Sequence, residues 1–319
     1  MRLIFTILLI GLFKADAQIV INASSPYRPI GGPANLLLDD YPNAAAAYSL
    51  RKLDKDYTGS AIRVRKDTTG QPEQDIGFTA SGNLDTAALK SFLNARSGFV
   101  TTWYDQSGNA RNFVQTTQAN QARIANLGVI DRENNKPFIR FDGSNDLMNH
   151  DAQFFPSTKV HDIFLIGNNR DNTGTQIIYE QSVNYNIVNG AYVLYSDASK
   201  TEIAQKITTP VNNNNVRSAN RAYTTFQLGN FLINRDVNDS TLQGRFFANN
   251  SEISMSFVST FNYNIFNLNI SQNAAYLGAR SGGSAPAKLN AYEFIIYTSN
   301  QSSNRTGIAT NINTFYGIY

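Results

Sequence analysis

The chain has 319 residues, 42% of them hydrophobic and only 16% charged, so it can bury a substantial core. The net charge is +3, and the basic residues are scattered along the chain. This distribution excludes an extended nucleic-acid-binding surface. The chain has no cysteine, which excludes disulfides and a cysteine-linked lipid anchor.

The N-terminal residues have the pattern of a secretory signal. Arg2 precedes an apolar run over residues 3–13 that is too short to span a membrane. The tripeptide ADA at 15–17 then fits the small-x-small pattern of a cleavage site. We therefore predict that residues 1–17 are a removed signal peptide, with an uncleaved anchor as the alternative. The mature protein would be secreted, periplasmic, on the cell surface or on a virion, with no later transmembrane segment.

Residues 18–43 carry several prolines and glycines without a clear period, which predicts an extended lead-in. Residues 44–319 are predicted to form one domain. Its first clear strand is SAIRVRK at 60–66, where Ile62 and Val64 alternate with outward-facing arginines. A short helix is predicted after Asp85, a suitable N-cap residue.

Beyond residue 134 the pattern is one of short strands between turns, such as PFIRFD, HDIFLIG, TQIIYE, AYVLYS, GRFFAN and AYEFIIY. Their spacing predicts an all-β antiparallel sandwich and not alternating strands and helices. The run NNNN at 212–215 predicts an exposed loop. A final helix is predicted near the C-terminus, capped by Ser302 or Ser303.

The stretch WYDQSGN at 103–109 is the densest cluster of residues capable of chemistry. In one interpretation it binds a sugar, with Trp103 stacking on the ring while Asp105, Gln106 and Asn109 bind hydroxyls. In the other it ends a core strand, and its polar side chains fold back onto backbone N–H groups. Period-2 alternation places Trp103 and Asp105 on one face of the strand.

A second polar cluster lies in RFDGSNDLM at 140–148. Asp142, Asn145 and Asp146 supply three oxygen donors around a glycine, which could hold a structural Ca²⁺ ion. The spacing differs from that of the EF-hand loop. A turn stabilised by Asp and Asn side chains is the alternative.

Nucleophilic and zinc chemistry have little support, because the chain has two histidines, no cysteine and none of the usual hydrolase motifs. Glycoside hydrolysis needs only two carboxylates. Four carboxylates at predicted strand positions are candidates for such a pair: Glu180, Asp197, Glu202 and Glu293. The sequence favours none of them over the others, so no catalytic residue is assigned.

The segments AYSLRKLDKDYTGSAIRVRK, GFVTTWYDQSGN and KPFIRFDGSND together resemble the catalytic-domain family of α-L-arabinofuranosidase B and its bacterial and phage relatives. YDQSGN is the most specific part. The second half resembles laminin-G-like, concanavalin-type jelly rolls. The resemblance implies a glycan-related β-sandwich. It also implies an acid/base Asp after a Leu-Gly-x-Gly-Gly-like turn. Here that turn is Leu277-Gly278-Ala279-Arg280-Ser281-Gly282, with no carboxylate.

These observations favour an exported or virion-surface β-sandwich that binds a glycan or polysaccharide or mediates adhesion. An arabinofuranosidase-like hydrolase with relocated carboxylates is the first alternative, so enzymatic activity is left undecided. A structural subunit of a phage appendage or surface assembly, with protein partners, is the second. No cofactor is expected apart from the Ca²⁺ ion considered above.

Overall fold

The structure is a computed structural model. It describes residues 36–150, 158–171, 173–185, 188–197, 199–208, 213–262, 264–270 and 274–319. The predicted signal peptide and residues 18–35 of the predicted lead-in lie outside these ranges.

The described residues form three α-helices: α1 Leu37–Asp40, α2 Thr86–Leu93 and α3 Arg305–Tyr316. The predicted helix after Asp85 is α2, and Asp85 accepts a hydrogen bond from the Ala88 N–H at its N-terminus. The C-terminal helix is also confirmed, but it begins after Asn304 and has no side-chain cap, so the serine cap was wrong. None of these helices is long and apolar enough to cross a membrane.

Strands dominate the rest. The first half contains β1 Ala46–Ser49, β2 Ile62–Lys66, β3 Glu73–Ile76, β4 Gly98–Trp103, β5 Phe113–Val114, β6 Arg123–Asn126, β7 Val129–Ile130, β8 Arg132–Glu133, β9 Lys136–Pro137, β10 Ile139–Arg140 and β11 Met148–His150. The second half contains β12 Val160–Asn169, β13 Thr175–Gln181, β14 Tyr192–Asp197, β15 Lys200–Thr208, β16 Asn213–Ala219, β17 Gln227–Asn234, β18 Gly244–Ala248, β19 Ser251–Ile253, β20 Met255–Asn262, β21 Ala275–Leu277 and β22 Leu289–Tyr297. All the pairings between these strands are antiparallel, which confirms the predicted all-β sandwich.

Two sheets pack face to face. In the first sheet β22 pairs with β1 and β10 on one side and with β12 on the other, and β17, β18 and β19 follow β12. In the second sheet the order is β11, β21, β13, β14, β15, β16 and β20. Strand β4 joins the two sheets, because it pairs with β5 beside β11 and with β6 beside β10.

The main core lies between the two sheets and includes Ile163, Leu194, Ile203 and Phe294. A second apolar cluster lies on the other face of the first sheet, where α3 packs against β22. Helix α1 joins this cluster through Leu37 and Leu38. The end of the predicted lead-in is therefore helical and packed, because two adjacent leucines bury their side chains here.

Two local expectations differ from the structure. Residues 213–215 of the NNNN run lie in strand β16 and Asn215 is fully buried, so this part of the run is not an exposed loop; residue 212 lies outside the described residues. Asn215 is buried because β16 lies between β15 and β20. Arg65, predicted to face solvent, is also buried, since its guanidinium lies over the Phe99 ring and its Nε donates to Gln121.

Candidate functional site

Asp105 of the WYDQSGN stretch is buried and holds backbone together. Its Oδ1 accepts hydrogen bonds from the N–H groups of Ala47 (2.8 Å) and Ser107 (2.9 Å). Its Oδ2 accepts from the Ser107 hydroxyl (2.8 Å) and from the Arg111 N–H (3.0 Å). The carboxylate thus fixes the loop onto β1, as the structural interpretation expects.

The neighbouring side chains make the same kind of contact. Gln106 accepts from the Leu53 N–H and donates to the carbonyl groups of Ser49 and Arg51, at the end of β1 and just after it. Asn109 donates to the carbonyl groups of Ala44 and Ala45. Trp103 is fully buried, 5.7 Å from the Tyr48 ring. A ligand-binding role for these residues stays a prediction. The side chains of Asp105, Gln106 and Asn109 are already engaged in hydrogen bonds.

The second predicted cluster forms a tight turn. Asp142 Oδ1 accepts from the N–H groups of Ser144 and Asn145, and Asp146 Oδ2 accepts from the Asp142 N–H. The Asn145 amide donates away from them, to the Ala119 carbonyl. Burial and the nearby Asp142 raise the pKa of Asp146 to about 7. The described residues include no group of three or more His, Cys, Asp or Glu that could hold a metal ion. Binding of Ca²⁺ stays a prediction.

A different set of side chains comes together on the outer face of the second sheet, the face turned away from the first sheet. Tyr276, Glu180 and Val193 lie directly opposite one another on β21, β13 and β14, so their side chains share this face. Tyr195 and Glu202 are opposite each other on β14 and β15, further along the same face. We name the whole set the tyrosine face; it consists of Glu180, Tyr185, Tyr195, Glu202, Tyr276 and Arg280.

Glu180 lies at the centre of the tyrosine face and is fully buried. Its Oε1 accepts from the Ser182 hydroxyl (2.8 Å) and from the Tyr185 N–H (2.6 Å). Its Oε2 forms an ion pair with Arg280 Nε at 2.8 Å, and the Arg280 side chain remains 22% exposed. The carboxylate is therefore held by three donors, and its counter-ion reaches the surface.

The tyrosines combine apolar rings with polar ends. Burial and the nearby Glu180 raise the pKa of Tyr185. Burial and a hydrogen bond with Glu202 raise the pKa of Tyr195, which is only partly buried. The Tyr185 hydroxyl is buried and has no hydrogen-bond partner in the described part of the chain. The face thus brings aromatic rings together with hydroxyl, carboxylate and guanidinium groups. Glu180, Tyr185, Glu202 and Tyr276 are buried, so Tyr195 and Arg280 are the members that reach solvent.

Beneath the tyrosine face, the inner side of the same sheet carries a polar row. Gln181, Tyr192, Gln205 and Asn215 are opposite one another on β13 to β16, and all are buried. Across the gap between the sheets, burial lowers the pKa of His161 on β12 to about 3. This interior row makes one end of the sandwich polar where the rest of the core is apolar.

Sequence reasoning considered Glu180 and Glu202 only as isolated strand carboxylates. It missed Tyr185, Tyr195 and Tyr276. The alternation of side chains along a strand predicts which face of the sheet a residue lies on, but it does not predict which strands are neighbours. Arg280 was noted only as part of the turn that lacks a carboxylate. The run AYVLYS contained a usable signal: its two tyrosines are separated by an odd number of positions, so they face opposite sides of the sheet.

No protein-family model matches the chain, and no curated protein matches it. Solved structures do match. An arabinofuranosidase complexed with arabinofuranosyl-α-1,2-xylobiose has a TM-score of 0.57 at 14% identity, over 86% of this chain and 63% of that chain. A GH54 α-L-arabinofuranosidase soaked with a cyclic sulfate inhibitor gives 0.57 at 13% identity, with the same coverage. This chain thus spans less than two thirds of those proteins, and the likeness shows that their β-sandwich fold is shared.

Proposed function

We propose that the protein is a non-catalytic glycan-binding β-sandwich whose tyrosine face contacts the sugar. The observation that carries this proposal is the engagement of Glu180 by Ser182, Tyr185 and Arg280. A carboxylate bound by three donors and paired with arginine is poorly suited to act as a nucleophile or a proton donor. The surrounding rings and polar groups suit recognition of a sugar, which has an apolar face and polar edges.

The position of Arg280 supports the same proposal. It lies within the turn at residues 277–282, after which the resemblance to arabinofuranosidases implies a catalytic Asp. Here the turn and the residues directly after it supply no carboxylate, and Arg280 of the turn forms an ion pair with Glu180. Because the fold is shared with arabinofuranosidases while this chemistry differs, we infer retained sugar binding without hydrolysis.

The test measures the affinity of the mature chain for neutral arabinose-containing oligosaccharides by calorimetry. Tyr195→Ala should weaken binding about tenfold, because it removes one stacking ring and its hydroxyl. Tyr104→Ala is the matched control, since Tyr104 is also a partly buried tyrosine that hydrogen-bonds a carboxylate, Asp75. Equal losses in both variants, or no binding by the unaltered chain, would overturn the proposal.

One observation favours a hydrolase as a second candidate. Glu180 and Glu202 share one face of the sheet, on strands separated only by β14. In this reading they would form the carboxylate pair that glycoside hydrolysis requires. Release of the aryl group from an aryl α-L-arabinofuranoside, abolished by Glu180→Gln and by Glu202→Gln, would establish it. The binding proposal expects no release above a blank.

A further inference from the structure

A groove lies beside α3, the helix that packs on the outer face of the first sheet. The tyrosine face belongs to the second sheet. The groove consists of two cavities of about 660 and 350 Å³ that share Phe315 as a wall. Each lies within the size range of small-ligand sites. We name them together the Phe315 groove; the side chains that matter below are Lys52, Arg132, Asn135, Lys136, Thr310 and Phe315.

The groove carries excess positive charge. Lys52, Arg132 and Lys136 line it, and none of the three forms an ion pair with a carboxylate of the described residues. The Lys136 ammonium lies 3.6 Å from the centre of the Phe315 ring, a cation–π contact that positions it in the groove. Burial and the positive charge of Arg51 lower the pKa of Lys136.

Other charges in the groove do not cancel this excess. Arg51 at its base is already neutralised by Glu293, with Nε 2.7 Å from Oε2. Asp40 is the single carboxylate that lines either cavity among the described residues. An anion that entered the groove would therefore meet cations with unused hydrogen-bond donors.

The remaining polar lining is uncharged and hydroxyl- or amide-bearing: Ser81, Asn83, Thr86, Asn135, Thr310 and Thr314. Such groups can both donate to and accept from sugar hydroxyls. Three separated cations are too few for the backbone of a nucleic acid. We propose that the Phe315 groove binds an anionic oligosaccharide, with its acidic groups facing the cations and its hydroxyls facing this neutral lining.

The experiment titrates the chain with an oligogalacturonate and with a sulfated oligosaccharide, at low and at high salt. These two probes distinguish carboxylate from sulfate as the recognised group. The double variant Arg132→Gln/Lys136→Gln should weaken binding of the preferred probe about tenfold and reduce its salt dependence. Phe315→Leu, which keeps the apolar volume but removes the ring beneath Lys136, should weaken it about threefold.

The control Lys90→Gln/Arg96→Gln removes the same two charges from exposed positions outside both cavities and should leave binding unchanged. Equal losses in the control, or no binding of either probe, would overturn the proposal. Tighter binding of polyglutamate than of both sugars would overturn it in favour of an acidic peptide. Tyr195→Ala should leave this affinity intact, which separates the groove from the function proposed for the tyrosine face.

Discussion

Replacing Asp105 by asparagine separates the two interpretations of WYDQSGN most directly. The carboxylate accepts four hydrogen bonds, two at each oxygen. Asparagine has one oxygen, so its NH₂ group must face two of the four donors. The Ser107 hydroxyl can rotate to accept, but a backbone N–H of Ala47, Ser107 or Arg111 loses its partner.

The expected cost follows from those contacts. A hydrogen bond to a charged group contributes about 1.5–3 kcal/mol, and a buried donor left without a partner costs about 1–3 kcal/mol. Two weakened bonds at a site that is only 4% exposed give a loss of about 3–5 kcal/mol in the free energy of unfolding. With a urea m-value of about 3 kcal/mol/M, the midpoint should fall by about 1–1.7 M.

Urea denaturation followed by tryptophan fluorescence suits this test, because Trp103, the only tryptophan of the chain, lies two residues from Asp105. Asp56→Asn is the control: Asp56 is an exposed aspartate whose side chain is 79% accessible, and its loss should change stability by less than about 0.5 kcal/mol. Ser107→Ala removes one donor and should cost about 1 kcal/mol. A stable Asp105→Asn protein that has lost glycan binding would refute the reasoning.

Three further predictions concern buried ionisable side chains. Because the pKa of Asp146 is raised to about 7, its ionisation destabilises the fold as pH rises from about 4 to 7. Asp146→Asn should remove that slope from a profile of urea midpoint against pH. Because burial lowers the pKa of His161 to about 3, the neutral ring is favoured in the folded state, and stability should fall as pH drops from about 6.5 to 3. His161→Gln should flatten this part of the profile. Arg51→Ala should cost about 3–5 kcal/mol in urea unfolding, since it leaves Glu293 buried without its counter-ion, whereas Arg51→Met/Glu293→Met should recover most of the loss.

Local patterns predicted the elements whose structure depends on near neighbours. Asp85 caps α2 because its carboxylate is three residues from the N–H that it accepts from, and the alternation of Ile62 and Val64 places both in the core. Asn215 shows where such patterns fail. A run of asparagines favours a loop by propensity, but pairing with both β15 and β20 overrides that preference.

The candidate site was beyond sequence reasoning for a related reason. Glu180 and Arg280 are 100 positions apart and meet only because β21 pairs with β13. The Phe315 groove likewise joins residues of the first sheet's loops to the last helix. Nothing in the local sequence around Lys136 or Phe315 indicates that an ammonium group and a ring 179 positions apart are in contact.

WYDQSGN, which carries the family resemblance, stabilises the fold. The tyrosine face, in contrast, is the part that we propose binds glycans. Asp105, Gln106 and Asn109 use their hydrogen bonds to hold the backbone around β1, which stabilises the sandwich. The proposed function depends instead on the tyrosine face. With Arg280 paired to Glu180, the carboxylate is fixed in a neutralised pair. In the proposed function the shared fold recognises a sugar without hydrolysing it, because recognition by the rings and hydroxyls around the pair does not require a free carboxylate.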